Sequence, residues 1–237
     1  MKRILLLTAI AVSALTACQK AETTITFNLT DLPEGTIIEI LKWEEDEGET
    51  VFEKAESNGN FCYTYTCDTI PAGAMYGVCS KNGNGSLRND RDIYVKIGCS
   101  TTVTGSGIFA ENWTIESENP RQQFYDRWND ATKDLRIEYN KILAELDNPS
   151  REKVEKFNEA QSKLQEAEWA FIESTPIDEY WLEAFADATD IINLKGTDWP
   201  NYPRMTEIYK RLSDADKATP AGKQITKNLF GGEKSAE

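Results

Sequence analysis

A change of hydrophobic period near Ser117 limits what this chain can build. Before it, apolar residues alternate with polar ones; after it, they recur every three or four positions. The first pattern specifies half-buried strands and the second amphipathic helices. The 237-residue chain is therefore expected to be α+β, with a small antiparallel β-sandwich or barrel over 23–116 and an all-α region over 117–230. Strand signals fall at Thr24–Leu29, Thr36–Trp43, Thr50–Ala55, Asn60–Cys67, Ala74–Cys79, Asp92–Ile97, Thr101–Thr104 and Asn112–Ile115. Turn chemistry separates them at Asp31–Gly35, Gly48, Ser57–Gly59, Pro71–Gly73 and Asn82–Gly85. Short strands at even spacing are the pattern of a sandwich.

In the second half, Phe124, Trp128, Ala131, Leu135, Tyr139, Ile142 and Leu146 form one helical stripe. Asn148-Pro149-Ser150 ends that helix and caps the next, whose stripe is Val154, Phe157, Gln161, Leu164, Ala167 and Phe171. Thr175-Pro176 is read as the start of a third helix, with Leu182, Phe185, Thr189 and Ile192 on one face and Gly196 past its end. Pro203 opens a fourth helix and Thr219-Pro220 a short last one. Short connections favour antiparallel neighbours. Aromatic residues at helical spacing read as core. Trp199 differs, because it lies with Tyr202 in a Pro-flanked loop between helices. It is either a packed plug or a binding loop.

The first 17 residues have their own signature. Met1-Lys2-Arg3 is a basic head, and Ile4 to Ala14 is apolar. That run is about half the ~20 residues a spanning helix needs, so it reads as a signal peptide. It ends in Leu15-Thr16-Ala17-Cys18, a lipobox. The expectation is a lipid-modified Cys18 and cleavage before it, with 18–22 as a tether. Attachment is then to a membrane of the cell envelope through acyl chains, the outer membrane first among candidates. Periplasmic and surface-facing orientations both remain open. Without the signal the chain keeps 24 basic against 40 acidic residues, a formal charge of −16. Such a surface repels phosphate backbones, so nucleic acid is not an expected partner, and anchoring must come from the lipid rather than from charge.

The chain contains no histidine. That removes Ser-His and Cys-His nucleophile pairs and every His-containing metal site. No phosphate-binding glycine loop or Gly-x-Ser-x-Gly elbow is present, and Gly83-Asn84-Gly85-Ser86 reads as a hairpin loop. No catalytic residue, metal ligand or cofactor is assigned. Glu179 and Asp187 are read as a solvated helix face.

Four cysteines remain once Cys18 is set aside. Cys62 and Cys67 lie five apart in one strand, ~16 Å at strand rise, beyond the ~7 Å a disulfide spans. If Asn60–Cys67 and Ala74–Cys79 form a hairpin about Ile70-Pro71, Cys62 faces Cys79 and leaves Cys67 with Cys99. Small thiols buried in a sandwich core are the alternative. Their spacing suits neither a catalytic Cys-x-x-Cys nor a four-cysteine zinc site.

The lipobox, the β segment ending Thr102-Val103-Thr104-Gly105-Ser106-Gly107, and the ending Tyr209-Lys210-Arg211-Leu212, Thr219 to Ile225 and Leu229 together carry a resemblance. The chain resembles the amino-terminal part of TlpA/ResA-like thiol-disulfide oxidoreductase lipoproteins of Bacteroidota. In those a small β domain and a helical region precede a thioredoxin-like domain. Asp68-Thr69-Ile70 also matches the short O-glycosylation acceptor pattern of that phylum, whereas the single acidic Glu22 departs from its surface-export signal. No residue matches the family's redox pair, and 231–237 reads as a tail or linker. The resemblance implies a non-catalytic accessory module that serves a thioredoxin-like domain or its client. A stand-alone peptide- or glycan-binding lipoprotein is the second reading.

Overall fold

The first strand, β1 (Thr23–Thr30), is where the β region closes. Ile25, Phe27 and Leu29 on one face are fully buried, as the alternation requires. In the computed structural model, which describes residues 22–44, 47–56, 59–67, 75–83, 85, 87–146 and 150–231, β1 sits inside a four-stranded sheet of order β4-β1-β7-β8. These are β4 (Phe61–Cys67), β7 (Ser100–Ser106) and β8 (Thr114–Glu116). A second sheet, of order β3-β2-β5-β6, contains β2 (Thr36–Glu44), β3 (Glu47–Glu56), β5 (Met75–Lys81) and β6 (Arg88–Ile93). Their inner faces share one core, with Phe27, Phe61, Val103 and Ile115 from one sheet and Ile38, Ile40, Tyr76 and Val78 from the other. The sandwich reading holds at this level. The Cys18 lipobox, Thr69, the Pro71 turn and the tail beyond Gly231 lie outside the described residues.

Three strand expectations need correction. The region is not wholly antiparallel, since β1 and β7 pair in parallel. The chain re-enters this sheet beside the start of β1, where Gly98 N donates to Thr23 Oγ1 (2.8 Å) and Thr24 N to the Cys99 carbonyl (3.3 Å). β7 must then run in the same direction as β1.

The sixth strand is Arg88–Ile93 rather than Asp92–Ile97. Two of its polar residues, Asn89 and Arg91, face inward and bond to backbone. Asn89 is fully buried and donates to the Ile108 carbonyl (3.2 Å), while Arg91 donates to the carbonyls of Ala110 and Trp113.

Third, β4 and β5 form no hairpin. β4 pairs with β1, and β5 lies between β2 and β6. β5 is buried from Tyr76 to Ser80, in keeping with its central place in the sheet. β4 exposes Cys62, Thr64 and Thr66, as an edge strand can.

A second compact unit comprises Phe124–Ile142 and the chain from Ser150 to Gly231. Its helices are α1 (Pro120–Ala144, begun in the first unit), α2 (Arg151–Ser174), α3 (Glu179–Lys195), α4 (Tyr202–Tyr209), α5 (Asp214–Ala218) and α6 (Pro220–Phe230). α1 and α2 run antiparallel: Phe124 and Trp128 meet Phe171, and Tyr139 meets Phe157. The third helix starts later than Thr175-Pro176, because Asp178 is its cap and accepts from Trp181 N (2.8 Å); Thr175 instead closes α2. Gly196, at φ 73°, ends α3 in a left-handed geometry that suits glycine. Among the described residues no helix is long and apolar enough to cross a membrane.

The carbonyls at the end of α2 have no partners within the helix. Trp181 Nε1 donates to Ile172 O (2.9 Å). Arg211 donates to Ile172 O (3.3 Å), Glu173 O (2.8 Å) and Thr175 O (3.2 Å), with its guanidinium 5.5 Å from the Trp181 ring centroid. Charged hydrogen bonds of this kind contribute about 1.5–3 kcal/mol, and the exposure of Arg211 argues for the lower end. Arg211→Ala should therefore destabilise the protein by about 1.5 kcal/mol. Arg211→Lys should recover only part, because an ammonium lacks the planar fork. Denaturant melts followed by circular dichroism check both; equal midpoints for Arg211→Ala and the parent would sink the claim.

Candidate functional site

None of the four cysteines Cys62, Cys67, Cys79 and Cys99 is in a disulfide. Cys62 is exposed on the outer face of β4, opposite Asn28. Cys79 is fully buried in the other sheet, opposite Glu39 and Asp90. The Cys62–Cys79 pairing therefore lacks the hairpin it required. Cys67 is level with Thr23 on one side of β1. Cys99 lies on the other side, one residue before the Ser100 that pairs with Thr24. Two strand spacings put Cys67 and Cys99 about 9–10 Å apart, beyond disulfide reach. The sequence missed this because pairing distance depended on which strand lay between them.

Burial, followed by the nearby Asp90 carboxylate, pushes the Cys79 thiol up to about 12. Cys67 is buried beside Tyr76, whose hydroxyl is raised by burial first and by the Cys67 thiol second. Cys99 is half-buried, and its Sγ donates to Glu118 Oε2 (3.7 Å). Cys79 is therefore the opposite of an activated, low-pKa thiol. Among the described residues no group of three or more Cys, Asp or Glu is arranged to hold a metal.

The helical unit contains a different feature, an open pocket of about 300 Å³. That is the lower end of the size range of small-molecule sites. Trp128 enters from α1, Glu168 and Trp169 from α2, Asp187 and Ile191 from α3, and Trp199 from the loop after α3. Three of the chain's six tryptophans thus meet in one place. On α2 the lining residues Gln165, Glu168, Trp169 and Ile172 recur at i, i+3, i+4 and i+7, one helical face.

Glu168 Oε1 accepts from Arg136 Nη2 (3.1 Å). About a third of the Glu168 side chain stays exposed (34 %), yet desolvation outweighs Arg136 and holds its carboxyl above the ordinary range. Trp169 is buried beneath the Arg204 guanidinium, 5.7 Å from its ring centroid. Arg204 is itself held by Glu173 (2.7 Å) and Glu166 (2.8 Å). The Trp128 indole N–H is buried without a hydrogen-bond partner.

Of the two loop residues singled out from sequence, Trp199 lines the pocket. Tyr202 is not among the lining residues; it is half-buried, with its hydroxyl donating to Leu229 O (3.0 Å). Asp187 is exposed, as a solvated helix face predicts, and it also borders the pocket. Trp128 lay in the predicted α1 stripe as core. Glu168 and Trp169 fell off the predicted α2 stripe, and the signal that could have found them is the second apolar step from Trp169 to Ile172.

A scan against protein-family models and a search of curated proteins both return no match for this chain.

Thiol reactivity provides a direct check on the cysteine geometry. Under native conditions at mildly alkaline pH, an alkylating reagent should label Cys62 first and Cys99 next. Cys67 and Cys79 should react only on unfolding. Peptide mass spectrometry reads the order, and early labelling of Cys79 would contradict its burial.

Proposed function

We propose that this protein is a lipid-anchored binding module of the bacterial cell envelope, non-catalytic in itself, that captures a ligand in the tryptophan-lined pocket of its helical unit. The observation that carries this reading is the convergence of Trp128, Trp169 and Trp199 with carboxylates in an open pocket of about 300 Å³. Aromatic walls with a few placed polar groups are the ordinary composition of a small-molecule or side-chain site. A peptide or glycan end is the class of ligand expected of such a protein. Cys18 supplies the anchor, with the outer membrane its proposed location. In the lipoproteins this chain resembles, a module of this kind accompanies a thioredoxin-like domain. In that setting the pocket would hold the client, since recognition needs no thiol.

Two measurements test the two halves of this reading. Cys18→Ser should abolish labelling by a fatty-acid analogue and move the protein from the membrane to the soluble fraction; unchanged membrane recovery would overturn the anchor. For the pocket, binding of peptide and oligosaccharide panels should alter tryptophan emission. Trp199→Ala should weaken any ligand found by about tenfold or more, the scale of one lost aromatic contact. Binding that survives both Trp199→Ala and Trp128→Ala would place recognition elsewhere.

A further inference from the structure

The chemistry of the pocket separates ligand classes. Glu168 and Asp187 both border it, and the chain as a whole carries a net charge of −14. A phosphate, sulfate or carboxylate entering there would meet like charge in a partly desolvated setting, where repulsion is strongest. That leaves neutral ligands and cations.

The rings favour the cation. Indole is the best of the aromatic side chains at attracting a positive charge to its face, and three indoles line this one space. The same helical unit already holds its own cations over rings. Arg204 lies over Trp169, Arg211 over Trp181 at 5.5 Å, and Lys217 over Tyr209 at 5.0 Å. Arg204 combines its ring with carboxylates, Glu173 and Glu166. The pocket presents that same combination, ring plus carboxylate. Among the described residues no Lys or Arg lies over Trp128 or Trp199. Arg136 takes one oxygen of Glu168, Oε1, and Oε2 remains for a second positive group.

We propose that the pocket takes an organic cation, an alkylammonium or guanidinium group carried on an apolar stem, with the indoles of Trp128 and Trp199 against its substituents and Glu168 as its counter-charge. This rests on the pocket being a binding site, and it names the ligand's chemistry. The group can come from a free amine or from a basic side chain of a peptide.

The test uses the full-length protein and matched probes, read by tryptophan emission and calorimetry. Choline is compared with its neutral isostere 3,3-dimethyl-1-butanol. N-acetyl-arginine amide and N-acetyl-trimethyl-lysine amide represent side chains, and N-acetylglucosamine represents neutral sugars. The cations should bind saturably and about tenfold or more tighter than the neutral isostere, the scale set by a desolvated cation–π contact. Tighter binding of choline assigns a free amine, and tighter binding of the blocked amino acids assigns a peptide; either supports the proposal. Glu168→Gln and Trp199→Ala should each reduce cation binding by about fivefold or more, in proteins that melt like the parent. Equal binding of choline and its isostere, or binding of the sugar alone, overturns the cation while leaving the pocket as a site. If no probe and no member of the wider panels binds, both readings fall.

Discussion

The helical unit depends on how the end of α2 is satisfied. Its last carbonyls cannot bond within the helix, and Arg211 and Trp181 take them over at Ile172, Glu173 and Thr175. One guanidinium thereby joins three carbonyls to a fully buried indole on α3. This fixes the start of α3 against the end of α2. Ile172, the lining residue nearest that junction, is 1 % exposed, so the α2 wall of the pocket is anchored at one end. Arg204 secures the same wall further along, lying over Trp169 and bridging to Glu166 and Glu173. The α2 wall is therefore held by two arginines, Arg211 on its terminal carbonyls and Arg204 on its carboxylates.

The β unit achieves closure differently, by bonding inward polar groups to a loop. Ser80 and Asn89 both donate to Ile108 O, and Arg91 donates to the carbonyls of Ala110 and Trp113. A buried carbonyl left bare is costly, so these side chains let the 108–113 segment pack against β5 and β6. Gly105 contributes as well. A Cβ there would overlap the Trp113 ring, whose Nε1 donates to Gly107 O (3.0 Å). This arrangement also explains why β6 was misplaced. Arg88-Asn89-Asp90-Arg91-Asp92 has no apolar alternation, because its inward residues answer carbonyls rather than hydrocarbon.

Legibility follows the same division. β1, with Ile25, Phe27 and Leu29 inward, and α6, with Thr219 capping and Pro220 at its start, were readable because local chemistry and burial agree. The parallel β1–β7 pairing was not readable, because no local signal marks the end at which a returning chain enters a sheet. The disulfide pairings fail for the same reason, because strand order, which spacing does not encode, separates the thiols; the alternative of thiols buried in the core describes Cys67 and Cys79. In the pocket, Trp199 was visible from its loop position. Trp128 read as core and Trp169 fell off the predicted stripe, because one-face stripes do not anticipate a helix with neighbours on two sides. α2 meets α1 through Phe157 and Phe171 and α3 through Ile172 and Trp181.

Glu168 shows what that second face costs and what it offers. Desolvation raises its carboxyl despite Arg136 at 3.1 Å. The folded protein then keeps this proton to higher pH than the unfolded chain does. By linkage its contribution to stability falls as pH rises from the ordinary carboxylate range through the raised value. Once ionised, Glu168 is a charged group in a setting that disfavours the charge. A second positive charge in the pocket would relieve that penalty, adding ligand binding to the favourable side of the same balance. The desolvation that makes Glu168 unfavourable for folding alone is thus a source of affinity for a cation.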